Sequence, residues 1–266
     1  MKKSYFFALC LLVLWAVAAV PALSQGTKPG FYALKVFHLK DQSQEERLDQ
    51  YLQNAYLPAL HRAGVAKVGV FKPVAPTKAT AADSAEKLVY VFIPFTAAEQ
   101  FFKLDEKLAK DKQYATAGKD YLGAPFDKPL YSRFETTLIE AFAGMPGIFS
   151  PKLSSSPAER VYELRSYESA SEKLHLNKVS MFNNGEIDIF KKLNFNAVFY
   201  GRVLAGDKMP NLIYMTSFEN MAERDKKWKA FGQDPDWKTL SAKPEYANNM
   251  QHADIYLLHP TAYSDL

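Results

Sequence analysis

The strongest constraint on the fold of this chain is an order of six predicted elements that occurs twice. In each half, a strand is followed by a helix, two strands, a second helix and a last strand, as judged from the spacing of apolar residues. The first half has predicted strands at 31–40, 65–71, 88–93 and 138–142, and helices at 44–63 and 96–110. The second half has predicted strands at 160–167, 196–204, 211–218 and 254–259, and helices at 172–193 and 221–231.

The shared order of elements indicates an internal duplication. Aligning the halves matches Tyr32 with Tyr162, Val70 with Phe199, and Tyr90 with Tyr214. In a β-α-β-β-α-β unit both helices cover one face of an antiparallel sheet and leave the other face apolar and bare. Because two such faces can cover each other, we predict an α+β fold of two tandem ferredoxin-like (βαββαβ) units, packed sheet to sheet as a pseudo-dimeric α/β barrel.

Residues 1–24 are typical of a signal peptide. Lys2 and Lys3 precede a short apolar run, and Ala22-Leu23-Ser24 places small residues where a signal peptidase cleaves. We predict cleavage between Ser24 and Gln25 and export to a periplasm or the exterior, with an uncleaved anchor as the alternative. Cys10 is the only cysteine and lies in this segment, so the mature chain would hold its fold without a disulfide.

The rest of the chain divides at a Gly-, Pro- and Ser-rich stretch, 143–159, which we interpret as a linker. It separates a divergent first repeat, 25–142, from a second repeat, 160–266. Loss of Lys2 and Lys3 with the signal peptide would lower the formal net charge from +4 to +2. So small an excess gives no electrostatic basis for binding nucleic acid or, once the signal peptide is cleaved, an anionic membrane.

The second half resembles the NIPSNAP family in several short segments that occur in the order of that family. These are Val161-Tyr162-Glu163-Leu164-Arg165-Ser166-Tyr167, Phe199-Tyr200-Gly201, Leu212-Ile213-Tyr214-Met215, Ala222-Glu223-Arg224, and Trp228 to Trp237 with its Asp234-Pro235 step. The resemblance implies a dimeric α/β-barrel fold, which cofactor-free monooxygenases and haem enzymes of the chlorite dismutase kind share. It implies no set of catalytic residues, because fold does not fix function.

The predicted helix 172–193 places two ionisable residues on its core-facing stripe. At 100° per residue, His175 and Glu186 fall on the same side as Phe182 and Phe190. A buried carboxylate needs a partner, so either Glu186 pairs with an inward Arg or Lys, with Arg165 the first choice, or the two residues line a pocket.

Strand 160–167 places Glu163, Arg165 and Tyr167 on one face, which is an unusual composition for a plain core. Either a ligand or a ladder of charges to neighbouring strands would explain that face. We predict a ligand pocket in the second repeat. Its candidate residues are Arg165, Tyr167, His175, Glu186, Tyr214, Trp228 and His252.

No metal or cofactor is expected. The five histidines, His38, His61, His175, His252 and His259, show no spacing of a metal site. Covalent haem needs cysteines that the mature chain would lack, and non-covalent haem would need His175 or His252 as its axial ligand.

Three functions stay open at this point. The first is a module that binds a small apolar or aromatic molecule or a partner. The second is a cofactor-independent or haem-dependent oxygenase or isomerase that uses the repeat-2 cavity, which requires acid or base groups at one point of a cavity. The third is a scaffold with a solidly packed barrel. Pairing of two chains into a homodimer also stays open.

Overall fold

The computed structural model describes residues 30–74 and 87–266; the predicted signal peptide and its cleavage site lie outside these residues. In the first half, β1 (Phe31–Leu39) leads into a long helical segment. This segment consists of α1 (Gln42–Tyr51), a π-helical turn (Leu52–Tyr56) and α2 (Leu57–Arg62). The half continues with β2 (Gly69–Pro73), β3 (Lys87–Phe95), the short helices α3 (Ala98–Phe102), α4 (Leu104–Ala109), α5 (Lys112–Ala117) and α6 (Lys119–Leu122), and β4 (Arg133–Ala141).

The second half repeats this plan. It comprises β5 (Val161–Glu168), α7 (Glu172–Met181), a π-helical turn (Phe182–Glu186), α8 (Ile187–Lys192), β6 (Ala197–Ala205), β7 (Asn211–Phe218), α9 (Met221–Gln233), α10 (Pro235–Ser241), a 3-10 turn (Pro244–Tyr246) and β8 (His252–Pro260). Asp234 caps α10 by accepting from the backbone N–H groups of Asp236 and Trp237, with Pro235 in the first turn.

The eight strands form one closed barrel in the order β1-β3-β2-β8-β5-β7-β6-β4. Each half contributes four neighbouring antiparallel strands, and the halves join at two seams, β2 with β8 and β4 with β6. Each seam pairs the second strand of one repeat with the fourth strand of the other, so the two repeats are related as two subunits of a dimer would be. The predicted fold of two tandem ferredoxin-like units is confirmed.

Three cores fill the molecule. The barrel interior is packed by aromatic rings, with Phe92 stacked on Phe199 at 4.5 Å between centroids and Tyr32 5.2 Å from each of them. Outside the barrel, the helices of each repeat cover the other face of their own strands and enclose a separate apolar core. Every helix within residues 30–74 and 87–266 is too short or too polar to span a membrane.

Two of the three predicted residue matches between the repeats are wrong by one position. Tyr90 lies inside the barrel, whereas Tyr214 faces the helices. Lys35 pairs with Val91 and Arg165 pairs with Tyr214, so Val91 is the true counterpart of Tyr214.

The same error affects the second strand of each repeat. Val70 pairs with Val91, so its counterpart is Tyr200, which pairs with Tyr214, and not Phe199. A register shift between Ala197 and Phe199 places one extra residue in β6, and one residue moves a side chain to the opposite face of a sheet. The match of Tyr32 with Tyr162 holds, since both residues lie in the barrel interior.

Gly201 allows close approach of the strands at the β4–β6 seam. A Cβ atom at this position would overlap the side chain of Ile139 and lie 2.8 Å from the backbone oxygen of Glu140. We expect Gly201→Ala to lower the free energy of unfolding by about 1–3 kcal/mol, because the seam must move apart to admit a methyl group. Denaturant unfolding of the variant measures the loss.

Gly232→Ala is the matched control, because nothing lies within 4 Å of a Cβ atom at that position. Equal stability of Gly201→Ala and Gly232→Ala would contradict tight packing at the seam.

Candidate functional site

The helix-facing side of β5 and β7 carries a buried polar cluster, which we call the repeat-2 cluster. The twofold periodicity of β5 directs Glu163, Arg165 and Tyr167 toward the helices. The other members of the repeat-2 cluster are Tyr214 on β7 and Arg224 and Trp228 on α9, each of which forms a hydrogen bond to a side chain of β5. Four of the seven predicted site residues, Arg165, Tyr167, Tyr214 and Trp228, therefore come together.

Glu163 is the centre of the repeat-2 cluster, and it is fully buried. Its carboxylate accepts hydrogen bonds from Arg165 Nε at 2.6 Å, Arg224 Nε at 2.7 Å and Trp228 Nε1 at 2.6 Å. Two guanidinium groups thus share one carboxylate. The remaining positive charge of Arg165 is stabilised by the Trp228 ring, since its Cζ lies 3.7 Å from the ring centroid.

A chain of hydrogen bonds continues from Arg165 across the two strands. Arg165 donates from Nη1 to the Tyr167 hydroxyl at 2.8 Å, and the hydroxyls of Tyr167 and Tyr214 lie 2.8 Å apart. Burial raises the pKa of both phenols. Both tyrosines are therefore protonated at neutral pH and serve as hydrogen-bonding groups rather than as bases.

Glu186 pairs with Lys178 and not with Arg165, the partner proposed first. Lys178 Nζ lies 2.9 Å from Glu186 Oε2, and both side chains are buried. Burial raises the pKa of Glu186, and the neighbouring Lys178 opposes that shift. The pair adjoins the repeat-2 cluster, because Lys178 Nζ lies 5.9 Å from the centroid of the Tyr167 ring.

The two predicted histidines lie apart from the repeat-2 cluster. His175 is buried, its Nδ1 has no hydrogen-bond partner within the described residues, and burial lowers its pKa, with a further contribution from Arg202. His252 is exposed on β8 and lies 3.0 Å from Asp254. Neither histidine forms a hydrogen bond with a residue of the repeat-2 cluster within the described part of the chain.

Sequence reasoning missed Lys178 and Arg224 as parts of this region. Arg224 belongs to a family segment, but nothing in the sequence shows that its side chain points inward to Glu163.

A group of three residues is close enough to hold a metal ion. It consists of Glu168, His252 and Asp254, whose ligand atoms lie within 4.8 Å of one another. Asp254 also pairs with Lys208 at 2.7 Å and lies 3.0 Å from His252.

A groove lies next to the repeat-2 cluster in the second repeat. It has a volume of about 420 Å³ and lies between the linker and the start of β6. We call it the repeat-2 groove. Its aromatic floor consists of Phe190, Phe195 and Tyr200, and linker residues, Phe149 and Lys152 among them, line its other side.

Lys178 and Glu186 provide a test of the buried ion pair. We expect Glu186→Leu to lower the free energy of unfolding by about 3–5 kcal/mol, because it leaves a buried ammonium group without its partner. The double variant Lys178→Met/Glu186→Leu should recover most of that loss, since it removes both charges. Denaturant unfolding of the two variants checks this, and a double variant no more stable than Glu186→Leu would contradict the buried ion pair.

A comparison with protein-family models supports the resemblance of the second half to the NIPSNAP family. The NIPSNAP family model matches residues 162–265. A NIPSNAP family protein from Agrobacterium tumefaciens is 18% identical, with a TM-score of 0.37 over 44% of this chain and 98% of that chain. No curated protein matches the chain.

Two solved structures are similar to nearly the whole chain. One is a candidate monooxygenase from Lactobacillus acidophilus, with 10% identity and a TM-score of 0.53 over 88% of this chain and 94% of that chain. The other is a candidate monooxygenase from Fusobacterium nucleatum, with 7% identity and a TM-score of 0.56 over 88% and 93%. At such identities the likeness concerns the fold alone. The match to the family model shows that residues 162–265 of this chain form a NIPSNAP domain.

Proposed function

We propose that this chain is an exported small-molecule-binding module of the NIPSNAP type, which holds an aromatic or apolar ligand in the repeat-2 groove. The observation that carries the proposal is the groove itself, which has the exposed ring of Phe149 on its linker side and the largely buried rings of Phe190, Phe195 and Tyr200 at its base. A cavity of about 420 Å³ lined by apolar rings with a few polar groups at its edge is typical of a ligand site.

The floor of the groove is firmly supported from behind. The Phe190 ring lies 5.9 Å from those of Tyr200 and Tyr214 and 5.8 Å from that of Trp228. Tyr214 and Trp228 are in turn fixed by their hydrogen bonds in the repeat-2 cluster. A floor held in this way offers a preformed surface, which lowers the entropic cost of binding a ligand.

The edge of the groove favours a ligand with an acidic group. Lys152 and Lys191 line it, together with the side chains of Asn194 and Asn196. Phe149, which is 58% exposed, adds an aromatic ring on the linker side. An aromatic molecule with a carboxylate or sulfonate would place its ring on the floor and its charge near the lysines.

An oxygenase or isomerase is the alternative, since two proteins of similar fold carry monooxygenase names. Such chemistry needs reactive groups that a substrate can touch. Tyr214 is fully buried behind the groove floor, and Glu186 is engaged by Lys178. This arrangement favours binding over catalysis. A Soret band, or a product mass in native mass spectrometry of protein purified from its own compartment, would instead favour the enzyme.

The export part of the proposal rests on the N-terminal segment. We expect the mature protein, isolated from its natural host, to begin at Gln25, because Ala22 and Ser24 supply the small residues at the cleavage site. N-terminal sequencing checks this. A chain that still begins at or near Met1 in the membrane fraction would indicate the anchor instead.

Ala197 provides a test of the groove, because it lines the cavity at the start of β6. We expect Ala197→Phe to fill part of the groove and to weaken binding of the aromatic sulfonate 8-anilinonaphthalene-1-sulfonate by about tenfold, the effect of losing about 1.4 kcal/mol. Fluorescence titration of the dye measures the change.

Ala205→Phe is the matched control. Ala205 is exposed at the other end of the same strand and does not line the groove. Equal loss of dye binding in both variants, or no loss in Ala197→Phe, would place the dye elsewhere and refute the groove as its site.

A further inference from the structure

A group of possible metal ligands lies at one end of the barrel, outside the repeat-2 cluster and the repeat-2 groove. Glu168 is the last residue of β5, and it pairs with His252, the first residue of β8. Asp254 lies two residues farther along β8, so its side chain points to the same face of the sheet as that of His252. One ligand atom from each of the three residues lies within 4.8 Å of the other two. We call these residues the barrel-end triad.

The backbone around the barrel-end triad is well ordered by strand pairing. Strands β5 and β8 pair from Tyr162 through Glu168 without a shift of register. The Gln251 backbone N–H donates to the Glu168 carbonyl oxygen at 2.8 Å, so the hydrogen bonding continues one residue beyond β8. Ligands that project from paired strands are positioned more precisely than ligands on loops. The triad therefore has the support that a metal site needs.

The distances between the donor atoms suit a small divalent ion. His252 Nε2 lies 3.0 Å from Asp254 Oδ1. Ligand atoms bound tetrahedrally at about 2.1 Å from an ion lie about 3.4 Å from one another. These two atoms therefore need to separate only slightly, and the flexible side chain of Glu168 can bring in the third ligand atom. With the ring proton on Nδ1, the Nε2 atom of neutral His252 is free to bind the ion.

Lys208 orients one of the two carboxylates of the barrel-end triad. Its Nζ lies 2.7 Å from Asp254 Oδ2 and 3.2 Å from the Tyr256 hydroxyl. Because Lys208 engages Oδ2, the other oxygen of Asp254 is directed to His252. A hydrogen-bond partner that fixes a ligating carboxylate in this way is typical of metal sites.

The charges at the barrel-end triad favour a cation. The Glu168 carboxylate forms no hydrogen bond or ion pair within residues 30–74 and 87–266. Asp254 has one permanently charged partner, Lys208. With His252 neutral, Glu168, Asp254 and Lys208 together carry a net charge of about −1 at neutral pH. A divalent cation between the two carboxylates would remove their mutual repulsion.

We infer that the barrel-end triad binds one divalent first-row transition-metal ion, such as Zn²⁺. An imidazole nitrogen with two carboxylate oxygens suits Zn²⁺, Co²⁺ or Mn²⁺ better than Ca²⁺ or Mg²⁺, which prefer oxygen ligands alone. The His252 side chain is 59% exposed, so an ion reaches the site directly from solvent. Three protein ligands leave at least one coordination position for water or a small ligand.

This inference does not rest on the proposed function, because the barrel-end triad and the repeat-2 groove share no residue. Failure of either site would leave the other untouched. The spacing of the histidines in the sequence could not indicate the triad, because two of its ligands are carboxylates and one of these lies on a different strand.

The test is a calorimetric titration of the purified mature chain with Zn²⁺, after treatment with a chelator and removal of the chelator. It should show saturable binding of one ion per chain. The NMR resonances of the His252 imidazole should shift on addition of Zn²⁺, as a second readout. Mg²⁺ should bind at least about tenfold more weakly than Zn²⁺, because it prefers oxygen ligands and retains its water.

Two variants locate the ion, and both change partly exposed side chains. His252→Ala and Glu168→Gln should each weaken Zn²⁺ binding by at least about tenfold, because each removes one of three ligands. His61→Ala is the matched control and should bind Zn²⁺ as the parent chain does. His61 also lies beside a carboxylate, 2.8 Å from Asp265, but no third ligand completes a group there within the described residues.

The inference is overturned if His252→Ala or Glu168→Gln binds Zn²⁺ with the affinity of the parent chain, since the ion would then be adventitious. It is equally overturned if His61→Ala loses as much affinity as His252→Ala does. Failure of Zn²⁺, Co²⁺ and Mn²⁺ all to bind at millimolar concentration would also overturn it.

Discussion

The whole structure depends on two bare sheet faces that cover each other. Neither four-stranded sheet could remain in water with rings such as Tyr32, Phe92 and Phe199 on its uncovered side, so the halves close into one barrel around them. Closure at two seams leaves each pair of helices outside the barrel and only the barrel ends open. This geometry also fixes where ligands can reach the molecule. They can enter between helices and sheet at the edge of a repeat, or at the mouth of the barrel.

The two repeats keep one backbone plan but fill it with different chemistry. Both long helical segments contain a π-helical turn at the same place, Leu52–Tyr56 in the first half and Phe182–Glu186 in the second. At the positions of Arg165 and Glu186 in the second repeat, the first repeat has Lys35 and Tyr56, and Lys35 Nζ lies 5.7 Å from the Tyr56 ring centroid. Burial lowers the pKa of Lys35, which lies near the Tyr56 ring, whereas Arg165 donates a hydrogen bond to the carboxylate of Glu163. The repeats therefore differ in the buried polar groups that face their helices.

Much of this architecture could be predicted from residue spacing, because strands and helices have fixed periods. Alternation in β5 placed Arg165 and Tyr167 on one face, and the helical stripe correctly placed Glu186 in the core. The register of β6 could not be predicted, because the extra residue near Ala197 belongs to a pairing shift that the sequence does not mark. Lys178 was missed for a similar reason: the π-helical turn between it and Glu186 changes the phase of the helix. Contacts whose position depends on one inserted residue cannot be predicted from the fixed periods of strands and helices.

The first repeat acts as an internal control for the ionic groups of the second. It builds the same helix-on-sheet layer with Ala33 where Glu163 stands and Leu48 where Lys178 stands, so the fold itself does not require buried charges at these positions. Buried ion pairs contribute little net stability compared with apolar side chains, but they fix the geometry of the groups that they bind. In the second repeat they fix Tyr214 and Trp228, against which Phe190 packs. An ionic cluster that the fold does not need, lying behind the floor of a groove, supports a role in holding that floor in place for a ligand.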